Sequence, residues 1–374
     1  MKTNGSANRG LVVSKCFELR HSPGNDRNSE GALIKLKDGT ILCVYSHFFD
    51  DWGDPWPADL YGRRSSDGGE SWSDEFPVVI HDELNVMSVS LTRLQDGRIA
   101  LLYARKKALM AQGDCDPENA ADCDWWDCRP MLRFSSDEGK SWSDPLDVTG
   151  LPPVYLVVNN DRLVQLSSGR LIIPVAYHRL MKRGINLRSE ALFFLSDDGG
   201  MNWRESRQNC YPPQILNSGF LEPGVVELRD GRVMAFFRTD GGAHYKAFSH
   251  DGGETWSTPE RATEFPAPNS PLSIKRNPET GELFAVWNDA DPRWGIEPLE
   301  KSWQRTPLVI ARSTDEGKSW RGHRVIEDAP DHGFCYTGML FDGPYLFLTY
   351  CCGGGADSEV LKDSRIRRID LRTL

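Results

Sequence analysis

Apolar and polar residues alternate along this chain in short runs folded about glycine turns, the pattern of antiparallel strands rather than of helices. Six hairpins carry it: ALIKLKDGTILCVY, SLTRLQDGRIALLY, RLVQLSSGRLIIPV, VVELRDGRVMAFF, IKRNPETGELFAVW and MLFDGPYLFLTY. Their turn glycines, Gly39, Gly97, Gly169, Gly231, Gly281 and Gly343, are 58, 72, 62, 50 and 62 residues apart. Such a period marks a repeat architecture.

A second signature follows each of the first five hairpins: SSDGGESW from Ser65, SSDEGKSW from Ser135, SDDGGMNW from Ser196, SHDGGETW from Ser249 and STDEGKSW from Ser313. In this Ser-x-Asp-x-Gly-x-x-Trp turn the Asp caps backbone amides, the Gly supplies positive φ, and the Trp packs against a neighbour. These turns read as scaffold. Two hairpins per unit make a four-stranded blade, so the whole chain, residues 1–374, is expected to be one all-β domain, a six-bladed β-propeller. The last unit lacks the signature, and RIRRIDL supplies its third strand. The N-terminal LVVSKCFEL is left over and is expected to close the ring there, leaving no free sheet edge.

Composition narrows the function. The 374 residues carry a net charge of −10 and no basic run, which excludes the electrostatic footprint of a nucleic-acid binder. No stretch is apolar enough to span a bilayer, and the start lacks a signal-peptide core. A soluble protein is expected, cytoplasmic or secreted and trimmed, with the cytoplasm favoured by its unpaired cysteines. The nine cysteines have no CxxC pairing and read as reduced thiols. Cys115, Cys123 and Cys128 fall in an acidic insertion, where a disulfide or a metal is the alternative. No cofactor or metal is called for, and oligomeric state is not legible.

Chemistry is expected where the hairpins end. Residues equidistant from a turn are cross-strand neighbours, so positions about eight out on either arm reach one rim. That arithmetic places Glu222 beside Arg238 and Thr239, Glu30 beside His47, Ser88 beside Arg105, Asn160 and Asp161 beside Tyr177 and His178, Ser273 beside Asn288, and Tyr336 near Tyr350. Strand ends are solvated and polar residues there are common. Convergence of so many ionisable groups is not, and it is what acid–base sites require.

With these residues in hand, the chain resembles the sialidase superfamily over nearly its whole length. LEPGVVELRDGRVMAFFRT resembles the segment that carries a catalytic Glu and, sixteen residues on, an arginine of the carboxylate-binding triad; Glu222 and Arg238 hold those places. Arg305, in Gln304-Arg305-Thr306-Pro307, precedes Tyr336 by 31 residues, as a later arginine precedes the tyrosine in that family. The resemblance implies an exo-acting glycosidase with Tyr336 as nucleophile, Glu222 as its base, and an acid/base Asp in the loop SHFFDDWGDPWPADL. Asp50, Asp51, Asp54 and Asp59 compete there; Asp54 is preferred. Arg238 and Arg305 are expected to bind substrate, along with Glu30, His47, Asn160, Asp161, Arg162 and His178.

One departure matters. Where the family has the arginine that completes its triad, this chain has Ser29, followed by Glu30. The substrate is therefore read as a terminal sugar of a glycan, with uronates and neutral sugars standing beside sialic acid. A uronate lyase with Tyr336 or His178 as base, and a non-catalytic glycan-binding propeller, are the alternatives.

Overall fold

The structure, a computed structural model, describes residues 14–107, 127–152, 154–181, 185–356 and 358–374. Cys115 and Cys123 lie outside these residues; Cys128 is a buried free thiol.

The alternating segments form antiparallel runs. The first is β2 (Arg27–Lys35), β3 (Ile41–Phe48), β4 (Ala58–Ser65) and β5 (Phe76–Val79), preceded by β1 (Ser14–Leu19). The second is β6 (Asn85–Arg93), β7 (Ile99–Lys106), β8 (Cys128–Ser135) and β9 (Leu146–Asp147). In the third, β10 (Tyr155–Val157) and β11 (Val164–Gln165) share the partner β12 (Leu171–His178), followed by β13 (Glu190–Ser196) and β14 (Arg204–Glu205). Single parallel pairs, Ala58↔Asn85 and Tyr155↔Cys128, join these three into one 13-stranded sheet.

The fourth run is β15 (Leu221–Glu227), β16 (Val233–Arg238), β17 (Ala243–Ser249) and β18 (Glu260–Pro266). The fifth is β19 (Ser273–Arg276), β20 (Leu283–Asn288), β21 (Leu308–Ser313) and β22 (Arg321–Glu327). The last is β23 (Cys335–Asp342), β24 (Tyr345–Cys351) and β25 (Ser364–Asp370), and β1 adds to its edge from Ser14↔Ile369 to Leu19↔Ser364. Among the described residues no helix is long and apolar enough to cross a membrane.

Apolar side chains fill the spaces between successive runs. Leu42 and Val44 meet Leu91 and Leu101 between the first and second, and Leu132 meets Ile173 between the second and third. Further along, Phe193 meets Phe237, Met234 meets Trp287, and Ile310 meets Leu348.

The Ser-x-Asp-x-Gly-x-x-Trp turns join the third strand of a run to the fourth and act as expected. In the first, Asp67 Oδ1 accepts from the amides of Glu70 and Ser71 at 3.0 Å each, and Ser65 Oγ accepts from Gly69 N at 2.8 Å. Gly69 has φ +83°, and a Cβ there would lie 2.5 Å from Phe347 of the last run. Glycine is therefore needed both for the backbone and for the close approach. The tryptophans Trp72, Trp142, Trp203, Trp256 and Trp320 each pack into an apolar cluster shared with the preceding run.

Candidate active site

The first strands of four runs are interrupted at corresponding places. Between Ser29↔Ser46 and Ala32↔Val44, two residues of β2, Glu30 and Gly31, face one residue of β3. The same two-against-one bulge occurs at Ser88 in β6, Glu222 in β15 and Tyr336 in β23. The leading residue is left-handed each time, with φ 52° at Glu30, 62° at Ser88, 43° at Glu222 and 59° at Tyr336; Asp161 has φ 56°. A non-glycine residue held there costs on the order of 1–3 kcal/mol, and the bulge re-aims its side chain out of the ladder. Five residues expected at the rim are thus strained, alongside Asp50, Glu138, Trp303, Gln304 and Glu316 elsewhere.

Bulging also corrects the arithmetic, which assumed an uninterrupted ladder. Asn28, not Glu30, pairs with His47. In the third run Tyr177 and His178 pair with Leu156 and Tyr155, so Asn160 and Asp161 lie beyond that ladder. Tyr350 turns away from Tyr336 and hydrogen-bonds Glu327 at 2.5 Å.

Tyr336, Glu222, Arg238 and Arg305 come together. The Tyr336 hydroxyl donates to Glu222 Oε1 at 3.0 Å, and Arg238 Nη1 donates to the same oxygen at 2.6 Å. Arg238 Nη1 is also 3.5 Å from the phenol oxygen, and its Nε donates to Asn269 Oδ1 at 2.7 Å. Arg305 stacks its guanidinium 5.4 Å from the Tyr336 ring and 5.3 Å from that of Trp303, and donates to Cys335 Sγ at 2.9 Å. Burial, with the Glu222 carboxylate adding to it, holds the phenol well above its ordinary range. It will not ionise alone. The Glu222 carboxylate hydrogen-bonded to it is placed to accept its proton.

A second group faces this one. Arg27 is wholly buried and every arm is committed: Nε to Ser29 Oγ at 2.8 Å, Nη1 to Asp54 at 2.6 Å and Trp52 O at 3.1 Å, Nη2 to Glu30 at 2.9 Å. Glu30's other oxygen accepts from Ser88. Burial raises the Glu30 carboxyl against the pull of Arg27. Burial also pushes Asp54 up, but Lys106, 3.9 Å away, and Arg27 outweigh it and hold that carboxyl below its ordinary range. Of the four competing loop carboxylates, Asp59 pairs with His81 at 2.6 Å and Asp51 caps Trp52 N, whereas Asp54 reaches this group.

The Asn160–Arg162 segment braces the two groups. Asn160 Nδ2 donates to Gly31 O at 2.8 Å and Tyr336 O at 2.9 Å, tying the two bulges together. Asp161 accepts from Lys275 Nζ and Met339 N, and Arg162 donates to Leu272 O at 2.8 Å. Burial, opposed by Asp161 and Glu222, brings Arg162 down to about 10. His178 holds Asn186 O through Nδ1 at 2.9 Å, and burial lowers its pKa despite the Glu222 charge. His47 does not join Glu30: it stacks on Tyr61 at 4.4 Å with Nδ1 3.7 Å from Glu75.

Arg27, Lys106 and Trp303 escaped the sequence reading. Arg27 had a signal, since it shares a strand face with Ser29, the position where an arginine was missed. Lys106 and Trp303 had none.

A β-propeller-like all-β chain with these turns and a bulge-mounted Tyr–Glu–Arg cluster is of the sialidase-like class. It belongs to the BNR repeat-like domain family, which matches residues 119–347. A sialidase of Bacteroides fragilis is 26% identical over 355 residues, 86% of this chain and 60% of that protein. The chain thus spans less than two thirds of that relative's length. Among solved structures, the Hadza microbial sialidase Hz136 aligns with TM-score 0.73 and 17% identity over 96% of this chain and 69% of that one. A Dyadobacter fermentans protein of unknown function aligns with TM-score 0.71 and 18% identity over 97% and 100%. At those identities the likeness concerns the fold.

Proposed function

We propose that this chain is a glycoside hydrolase of the sialidase type that removes a terminal acidic sugar from a glycan, on a six-bladed propeller closed by β1. Closure is supported by the β1–β25 ladder and by a cluster in which Leu19, Phe347 and Ile366 meet Leu33 and Ile41 of the first run.

The observation that carries the reading is the 3.0 Å Tyr336–Glu222 hydrogen bond flanked by two arginines. Tyr336 Oη attacks the anomeric carbon while Glu222 takes the phenol proton, and Asp54 gives its proton to the departing glycosidic oxygen. Water then attacks the same carbon, passing a proton to Asp54. The sugar leaves, and Glu222 returns the phenol proton. A neutral nucleophile suits an anionic substrate, because it does not repel the sugar's carboxylate. Arg238 and Arg305 against the single Glu222 leave one net positive charge around Tyr336. Arg27 cannot grip the substrate without releasing Glu30 or Asp54.

Because Lys106 and Arg27 favour the Asp54 carboxylate, the free enzyme keeps it ionised, and kcat/KM is expected to rise as pH falls into the acid range. Lys106→Met removes one of the cations. Asp54 then holds its proton to higher pH, and the descending limb of the profile moves up in pH. An unmoved limb removes Asp54 as the acid.

A panel of sialyl, glucuronyl and neutral aryl glycosides tests the function. Release of a saturated acidic sugar is expected. No turnover anywhere in the panel, or an unsaturated product absorbing in the ultraviolet, sinks the hydrolase.

A further inference from the structure

Two cysteines face each other beneath the Tyr336 cluster. Cys335 and Cys351 are directly opposed on β23 and β24, at the last paired position before the Tyr336 bulge. Residues so opposed on antiparallel strands share a face and have Cα atoms about 4.5–5.5 Å apart, within the roughly 4.4–6.8 Å that a disulfide spans. Both are buried, 1% and 0% exposed, in an apolar cluster with Val360, Leu361 and Tyr336. Cys352, the next residue, alternates to the other side of the strand, where its sulfur is 4.0 Å from Glu18.

The two sulfurs are not equivalent. Burial raises the Cys335 thiol, but a hydrogen bond from Cys351 and the charge of Arg305, 2.9 Å away, outweigh it and hold it below its ordinary range. Burial, with Cys335 adding to it, holds Cys351 well above its own. One sulfur is therefore a nucleophile and the other a proton-bearing thiol placed to resolve it. Arg305 is committed to this pair: among the described residues its guanidinium donates no hydrogen bond to any atom but Cys335 Sγ. Cys335 as thiolate cancels the charge that Arg305 would otherwise turn toward a ligand.

We propose that Cys335 and Cys351 are a redox pair that closes to a disulfide under peroxide and thereby releases Arg305 to bind an acidic ligand. The Cys335 thiolate displaces hydroxide from hydrogen peroxide and becomes a sulfenic acid; the Cys351 thiol then displaces its oxygen as water. The hydroxide takes the proton that Cys335 had shed, so two thiols are oxidised and one peroxide is reduced to two waters. A disulfide sulfur carries no charge, and Arg305 loses its counter-charge where it meets Tyr336. Formation of the bond is independent of the hydrolase reading; the gain in binding rests on it, through Arg305 as a ligand of the acidic sugar.

The full chain is oxidised with hydrogen peroxide, alkylated and digested, and its disulfides are mapped by mass spectrometry. A Cys335–Cys351 bridge that dithiothreitol reverses is expected, with Tm raised by roughly 3–6 °C. Cys351→Ala should abolish both. Calorimetry with sialic acid and with glucuronic acid then compares the two forms, and at least one acid should bind the oxidised protein about ten-fold tighter. Cys335→Ser keeps an acceptor for Arg305 but no charge, and should bind as tightly as the oxidised parent, with peroxide having no further effect. No bridge, a vicinal Cys351–Cys352 bridge, or oxidation of Cys335 to a sulfinic acid instead overturns the pair. Equal affinities of the two forms overturn its coupling to Arg305. A Cys335–Cys351 bridge in a protein that binds neither acid in either form overturns the acidic-sugar reading and leaves the pair standing.

Discussion

Glu222→Gln is expected to lower kcat by about 10²–10⁴-fold, the usual contribution of a positioned general base, with the fold intact. The phenol of Tyr336 is held far above its ordinary range by burial and by Glu222 itself, so in the proposed mechanism it attacks only while handing its proton to a neighbour. Glutamine keeps the shape and still accepts a hydrogen bond at its amide oxygen, but it cannot take the proton. It also frees Arg238 from its 2.6 Å counter-charge. An acidic sugar should then bind as tightly as before or more tightly, so KM should not rise, and the loss should sit in kcat. Steady-state kinetics on the aryl glycoside identified by the panel, with circular dichroism to confirm folding, reads the result. Parent-like kcat ends the proposed mechanism.

Arg27→Met should cost the most stability, about 3–5 kcal/mol, because removing one partner of a buried ion pair strands the other. Glu30 is 4% exposed and would keep only Ser88. The loss should depend on pH in a stated sense. Glu30 is already raised above its ordinary 4.5 by burial, and without Arg27 it rises further. A raised carboxyl contributes stability that is full below its unfolded value and lost as pH rises through its folded value. The variant's deficit should therefore narrow on acidification and widen toward neutrality. Glu30→Gln in the same background should recover part of it by removing the stranded charge. Urea melts at pH 5 and pH 8 decide this: equal deficits, or no rescue, show that Arg27 and Glu30 are not coupled as drawn.

The cluster at the centre was partly legible because sequence spacing survives folding. Glu222 and Arg238 sit on the two arms of one hairpin, so their meeting required only a turn. Arg305 and Tyr336 were named from a resemblance in spacing. Arg27 is not legible from Ser29 alone, because only the side-chain direction shows that Arg27 reaches that hydroxyl at 2.8 Å. His47 went astray for a related reason: a bulge changes which residues oppose each other and which face they occupy. Asn160, Asp161 and Arg162 bond to backbone and side chains of other runs. Those bonds tie the bulges together, which no single hairpin in the sequence foretells.

By itself the sequence determined the repeating hairpins, the five Asp-capped turns and the tryptophans that wedge one run against the next. Those features are local, each written within about ten residues by turn chemistry and alternation. Only the tertiary structure decided what meets at the centre. Left-handed backbone at Glu30, Ser88, Asp161, Glu222 and Tyr336 has no local signature, because none of these is glycine. Contacts from distant segments hold such strain in place, as where one amide of Asn160 binds the carbonyls of Gly31 and Tyr336 at once. These side chains are aimed by bracing between distant segments, which exists only once the runs have packed.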